Sequence, residues 1–349
     1  MEEVRVGIVG ASGYTGGELL RLLVGHPQVE VAAVTSRSLA GRLVGEAFPS
    51  LGASYPRLAF APTDSPEAVA GCDVVFLTVP SGVAMTLAPP LLAAGARVID
   101  LGADFRFREA AVYAAWYGQP HACPDLLAEA VYGLPEFFRE EIRKARLVGN
   151  PGCYPTAAAL AVWPALEAGL AEPEGLIVDA KSGVSGAGRH PALEYHFPEV
   201  AENLRAYKVA GHRHTPEIEQ LVAVAAGQPA AVTFTPHLIP MNRGMLVTAY
   251  LRLRPGVEPA EVAETYRRRY AGEPMISFLE GDALPQTKAV AGSNRVDVAV
   301  RVDTRTRRLV ALAALDNLVK GAAGQAVQNL NVLCGFPETT GLPLAGLWP

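Results

Sequence analysis

One short stretch limits the possible folds of this chain more than any other. A β-branched run, Val4–Val9, passes straight into Gly10-Ala-Ser-Gly-Tyr-Thr-Gly16, then into a helical pattern at Glu18–Val24 that ends at Gly25-His-Pro27. A second strand pattern, Val29–Thr35, follows. Strand, glycine turn, helix and strand make one βαβ unit, whose strands must be parallel and whose crossover must be right-handed. Two more buried-strand patterns extend the series, Val74–Val79 (closed by Pro80-Ser-Gly) and Arg97–Leu101. This alternation predicts an α/β chain opening with a Rossmann-type, doubly wound parallel sheet.

The series changes near Asn150. Strand patterns at Leu176–Ala180, Ala231–Leu238 and Gly244–Leu253 have fewer helices between them, and Val296–Val302 with Leu309–Leu315 reads as an antiparallel pair around Asp303–Arg308. A chain of 349 residues is long for one core. It divides into a dinucleotide-type domain over 1–150 and a second α+β domain with a mixed sheet over 151–316. A long helical pattern with amphipathic spacing, 317–333, closes the chain. Half the residues are hydrophobic, which excludes a disordered chain, and a net charge of −5 argues against nucleic acid or a polybasic membrane surface. No apolar run reaches membrane-spanning length, and MEEVRVGIVG lacks the basic start of a secretion signal. The cysteines Cys72, Cys123, Cys153 and Cys334 show no metal-like spacing. The expectation is a reduced, cytoplasmic chain with no metal, no nucleic acid and no membrane.

The glycine turn is a G-x-x-G-x-x-G variant of the dinucleotide fingerprint, with Ser12, Tyr14 and Thr15 between Gly10, Gly13 and Gly16. Glycines are needed where the chain turns tightly, where backbone approaches a pyrophosphate and where helix meets strand. A turn serving helix–sheet packing alone is the competing reading. The second strand ends Thr35-Ser36-Arg37-Ser38, hydroxyls and a cation where an NAD site would carry an acid. Glu30 begins that strand, about 17 Å from the ligand edge at 3.3 Å per residue. NADP(H) is therefore favoured, against a plain surface role for Arg37.

Asn150-Pro-Gly-Cys153-Tyr-Pro-Thr opens a helical pattern with Pro155 in its first turn, so Cys153 falls at or just before a helix N-terminus. A thiol whose pKa drops there from about 8.5 to about 6.5 goes from about 3% to about 75% thiolate at neutral pH. Gly211-His-Arg-His-Thr-Pro-Glu places His212 and His214 on a loop before a helix start; an extended loop would turn both to one side. Metal binding, loop hydrogen bonding and acid/base chemistry beside Cys153 all compete for the pair. Ser182–Arg189 is a flexible loop whose amides could form an anion nest ending in Arg189, and Arg106 follows a strand at the ligand edge. Asn317 opens the last helical pattern, as a nicotinamide contact or a cap.

Taken in order, GASGYTGGEL, GADFR, YGLPE, GNPGCYPTA, SGVSGAGR, GHRHTPEI, NRGMLVT, GSN and LDNLVKG run along essentially the whole chain. In this the sequence resembles the N-acetyl-γ-glutamyl-phosphate reductase family, within the aspartate-semialdehyde dehydrogenase superfamily. The resemblance implies that Cys153 attacks an acyl phosphate, expels phosphate and forms a thioester, which NADPH reduces to N-acetyl-glutamate semialdehyde for arginine biosynthesis. It puts the acid/base role on His212, with His214 and Glu217 beside it. Arg106, Arg189 and Arg243, with Asn150, are its candidates for substrate. Gly10, Ser12, Gly13, Tyr14, Thr15, Gly16, Ser36, Arg37, Ser38, Pro80, Ser182, Gly183 and Asn317 are its candidates for cofactor. It also implies a first domain completed by the C-terminal segment 317–349, and a second domain that is both catalytic and the site of assembly into a homo-oligomer, a tetramer or dimer. A relative of lysine biosynthesis that reduces a carrier-linked aminoadipyl phosphate reads G-A-G-C-N-A-T at the cysteine. Here the segment is N-P-G-C-Y-P-T, and the acidic balance offers no patch for an acidic carrier. A non-catalytic NADP sensor would have no need to keep both Cys153 and the histidine loop.

Overall fold

β1 (Val4–Val9) is buried from Val6 to Val9, as a central parallel strand covered on both faces must be. It belongs to a computed structural model describing residues 3–63 and 66–348. Contacts divide the chain into two units, Met1–Pro151 with Ala322–Leu342, and Gly152–Gly321 with Pro343–Pro349.

In the first unit β1 is joined by β2 (Val29–Thr35), β3 (Phe60–Ala61), β4 (Val74–Leu77), β5 (Arg97–Asp100), β6 (Val131–Tyr132) and β7 (Leu147–Gly149). Their order is β3-β2-β1-β4-β5-β7-β6 and every pairing is parallel. The chain runs outward from β1 to β3, then returns to place β4 on the other side of β1. That reversal is the topological switch point, where ligands bind beyond the carboxyl ends of the strands. The following helix is Tyr14–Leu23, starting ahead of the expected Glu18. Gly16 and Gly17 are poor helix formers, but a Cβ on Gly16 would lie 2.4 Å from the Ala11 carbonyl oxygen, and one on Gly17 2.7 Å from the Phe48 ring. Close packing overrides propensity here.

The single helix expected over 317–333 is divided. Val319–Ala323 is π-helical and Gly324–Cys334 is α-helical. The α-helical part packs on the helices Tyr14–Leu23 and Pro135–Lys144 in the first unit. Residues 317–321 and 343–349 fall with the second unit, so only the middle of the segment 317–349 completes the first.

The second unit holds β8 (Ala171–Gly183), β9 (Arg205–Ala206), β10 (Thr233–Ile239), β11 (Met245–Leu253), β12 (Ile276–Phe278), β13 (Val296–Asp303) and β14 (Arg308–Leu315). They form a mixed sheet, β12-β13-β14-β11-β8-β10-β9, with β8/β10 and β12/β13 parallel. β13 and β14 are the antiparallel pair read from the sequence, turned through Arg307 at φ +55°. The helix Cys153–Glu167 lies against β11 and β14, with every side chain from Tyr154 to Leu166 buried. A helix apolar on all sides, AAALAVWPAL, has to be buried this way. Along β11, Met245, Val247, Ala249 and Leu251 are buried, while the alternate Leu246, Thr248 and Tyr250 are only half-buried. Among the described residues no helix is long and apolar enough to cross a membrane.

Candidate active site

Cys153 is the first residue of its helix, and Gly152 before it is the extended N-cap, with no side chain capping the turn. The start is fixed from outside the helix. The Gly152 N–H donates to Glu217 Oε1 at 2.9 Å, and the Thr156 hydroxyl donates back to the Gly152 carbonyl at 3.0 Å. Glu217 is fully buried in the first turn of the helix Thr215–Ala226. Cys153 itself is half-buried, and no disulfide links any of the four cysteines. Burial pushes the thiols of Cys72 and Cys334 up, and that of Cys123 up to about 11, which leaves all three protonated and inert at neutral pH.

His212 and His214 do come together, with ring centroids 4.8 Å apart. The expected extended loop is not the reason. The chain turns instead, with the Thr215 N–H on the His212 carbonyl and the His214 N–H on His212 Nδ1 at 3.1 Å. Tyr154, Tyr207 and Phe234 enclose the His212 ring at 5.3 to 5.6 Å. Burial, reinforced by His214, Lys208 and Arg213, lowers the His212 pKa from 6.5 to about 3. Since Nδ1 accepts a hydrogen bond, the neutral ring carries its proton on Nε2. The neutral His212 ring therefore offers its Nε2–H as a hydrogen-bond donor. The His214 ring sits over Gly152, where an added Cβ would be 2.6 Å from its Nε2.

In the first unit the glycine turn matches what a dinucleotide requires. Gly10 adopts φ +83°, with its Cβ position 2.7 Å from the Thr78 carbonyl oxygen, so only glycine fits. Gly13 is the extended N-cap, and a Cβ there would meet nothing within 4 Å. The helix start therefore opens onto free space, as a phosphate-binding helix start must. Tyr14 is exposed and Thr15 half-buried at that start, and Pro80 is exposed beyond β4. Arg37 and Ser38 are exposed beyond β2, and Arg37 has no ion pair among the described residues. Ser36 differs from the expectation. It is fully buried, donates to Ser12 Oγ at 2.8 Å and accepts from the Leu39 N–H, so its hydroxyl braces the turn.

Several expected substrate and cofactor groups are turned to structural use. Arg106 is buried, giving Nε to the Asn150 carbonyl at 2.7 Å and Nη2 to that of Leu101 at 3.0 Å. Asn150 is buried too, donating to the Ala322 carbonyl and accepting from Asn329. In the Ser182–Arg189 loop the amides of Gly183, Val184, Ser185 and Gly188 are taken by backbone carbonyls. The Ser182 hydroxyl is buried and donates to the Gly183 carbonyl. Asn317 accepts from the Gly244 N–H at 2.8 Å and donates to Ser185 Oγ at 2.9 Å, a clamp between loops. Arg189 is exposed, and Arg243 is half-buried with Nη1 3.6 Å from Asp316 Oδ2.

Two residues at the site escaped the sequence reading. Tyr207 donates to the Tyr154 hydroxyl and walls His212. Gly321 packs on Cys153, and a Cβ there would be 2.8 Å from that of the cysteine. A glycine inside a helical pattern was the available signal for the second.

Known proteins match this chain from end to end. The model described as "Semialdehyde dehydrogenase, NAD binding domain" matches residues 5–145, and "Semialdehyde dehydrogenase, dimerisation domain" matches 153–317. An N-acetyl-gamma-glutamyl-phosphate reductase from Symbiobacterium thermophilum is 55% identical, with 98% of each chain covered. The chain belongs to the N-acetyl-gamma-glutamyl-phosphate reductase family. A second reductase of that name, from Pseudomonas putida, is 53% identical over 99% of this chain and all of its own. Among solved structures, aspartate semialdehyde dehydrogenase II from Vibrio cholerae has a TM-score of 0.73 at 18% identity, covering 96% of this chain and 99% of its own. The Candida albicans enzyme, solved with NADP, has a TM-score of 0.72 at 18% identity, covering 95% and 99%. At such identity they share the fold. As a family member this chain is an oxidoreductase of amino-acid biosynthesis with a Rossmann-type dinucleotide domain and a dimerisation domain.

Proposed function

We propose that this chain reduces N-acetyl-γ-glutamyl phosphate to N-acetyl-glutamate semialdehyde, releasing phosphate, in the cytoplasm as a step of arginine biosynthesis. The observation that carries the reading is Cys153 at the first position of an uncapped, buried helix, with Glu217 holding the preceding amide. The helix dipole stabilises a thiolate there, and burial keeps the other three cysteines protonated. Cys153 Sγ attacks the acyl carbon and the carbon–oxygen bond to phosphate breaks, leaving a thioester. A thioester carbonyl accepts hydride far better than a carboxylate.

NADPH supplies that hydride when bound. Gly10, Gly13 and Gly16 shape its pyrophosphate cradle, with Ser12, Tyr14 and Thr15 along it, Arg37 and Ser38 toward the 2′-phosphate, and Pro80 at the edge. His212, neutral with Nε2–H, donates to the carbonyl oxygen as charge builds on it, first at the tetrahedral adduct and again at the thiohemiacetal. Collapse of the thiohemiacetal breaks the carbon–sulfur bond, returns the thiolate and frees the aldehyde. His214 packs over the helix start, Glu217 fixes it, and Arg243 and Arg189 hold substrate anions.

The first unit serves as the dinucleotide domain and the second as the catalytic and assembly domain. The half-exposed β11 face, with Ile177 of β8 38% exposed beside it, suits a homo-oligomer, a dimer or tetramer. The test is phosphate-dependent reduction of NADP+ by the semialdehyde, run beside the forward reaction. Turnover in both directions is expected. NADP binding without turnover would point to a sensor, and preference for a carrier-linked aminoadipyl phosphate to the lysine branch.

A further inference from the structure

We infer that Asp316 is a positioning residue for the nucleophile: it folds the turn that backs Cys153 and orients Arg243 at the same time. This rests on the thiol chemistry proposed above.

Asp316 follows β14 and is fully buried. A buried carboxylate is tolerated only when its oxygens are filled with donors, and these donors come from three places. Oδ1 accepts from the N–H groups of Leu318 at 2.8 Å and Val319 at 3.2 Å. Oδ2 accepts from the Gly292 N–H at 2.6 Å and faces Arg243 Nη1 at 3.6 Å. Its backbone carbonyl also takes the Gly321 N–H at 2.9 Å, five residues on. A five-residue bond is the wide π spacing, and the π-helical segment Val319–Ala323 starts here. Such segments are rare and gather at functional sites.

The consequence lies at Gly321. The wide turn carries its backbone against the Cys153 side chain, where a Cβ would be 2.8 Å from that of Cys153. With Glu217 fixing the backbone before the cysteine and Gly321 backing its Cβ, the thiol is confined from two sides. Asparagine cannot take over from Asp316. Its carboxamide has one acceptor oxygen, so its NH2 would face either the Gly292 amide or the Leu318 and Val319 amides, and the charge facing Arg243 is lost.

The test compares Asp316→Asn, Gly321→Ala and the double variant in the full-length chain. Three quantities are read: the iodoacetamide alkylation rate of Cys153 against pH, with Cys153→Ser as blank; kcat and KM for the acyl phosphate; and the melting temperature. Gly321→Ala should lower alkylation and kcat about ten- to a hundredfold, with KM for the acyl phosphate nearly unchanged. Asp316→Asn should lower alkylation about tenfold and also raise that KM, because Arg243 no longer faces the Asp316 charge. The double variant should lose little more alkylation rate than the worse single, since both act through one turn. Wild-type alkylation and kcat in the folded variants, with only the melting temperature reduced, would overturn the inference, as would fully additive losses. If Asp316→Asn does not fold, Gly321→Ala decides alone, by its alkylation rate. Alkylation needs no substrate, so a wild-type chain inactive on the acyl phosphate refutes the proposed reaction and leaves this placement to be judged separately.

Discussion

The helices Tyr14–Leu23 and Cys153–Glu167 both begin on an extended glycine with no capping side chain, yet their surroundings differ completely. At Gly13 a Cβ would meet nothing within 4 Å; at Gly152 it would be 2.6 Å from the His214 ring. Glu217 takes the Gly152 amide, while a hydroxyl pair, Ser36 and Ser12, braces the chain ahead of Gly13 from behind. The first start is open and suits an extended anion lying across several amides. The second is packed, and it presents one sulfur in one place. In the proposed reaction the same backbone device serves binding in one unit and reactivity in the other, and the neighbours decide which.

Substitutions can separate the two. The largest effect belongs to Cys153→Ser, which should cut turnover on the order of ten-thousand-fold while NADPH titrations still saturate normally. Loss of cofactor binding in that variant would show that the starts are not independent. Gly16→Ala is the converse. It pushes a methyl onto Ala11 and should weaken NADPH by about 2 kcal/mol, some thirtyfold, with Cys153 alkylation unchanged. Arg37→Asp sharpens the first site alone, shifting the ratio of kcat/KM for NADPH over NADH about tenfold toward NADH. An unchanged ratio would remove Arg37 from the cofactor site.

The smallest effect at neutral pH concerns His212, whose titration acts only on the acid side. Its folded pKa of about 3 lies below the unfolded 6.5, so the unfolded chain binds the extra proton first. Its contribution is present above pH 6.5 and is lost as pH falls toward about 3, by at most about 1.4 kcal/mol per pH unit. Urea unfolding of His212→Asn should show a flatter acid limb than the parent. Equal limbs would mean that the ring is not held neutral. Between pH 5 and 8 the rate profile should show no step from this histidine.

Much of the site was legible because it depends on neighbours in the chain. Strand-to-glycine turns, a cysteine ahead of Pro155 and a histidine pair ahead of Thr215-Pro216 are local patterns, and local sterics decide them. The antiparallel reading of β13 and β14 succeeded for the same reason. Polar side chains were another matter. Gln328, Asn329 and Asn331 lie in the amphipathic pattern over 317–333, yet all are fully buried, bonded to Glu136, Gly133, Asn150, Thr340 and His26. Arg106 and the amides of Gly183, Val184, Ser185 and Gly188 were likewise drawn inward.

By itself, then, the sequence determined the parallel βαβ opening, the thiol at a helix start and the histidine pair ahead of another helix start, since each follows from backbone preferences within a few residues. Only the tertiary structure decided which polar groups face a ligand and which brace the chain, and that Gly321 would back Cys153. A donor takes whichever acceptor the topology brings to it, and residues far apart in sequence carry no local trace of that meeting.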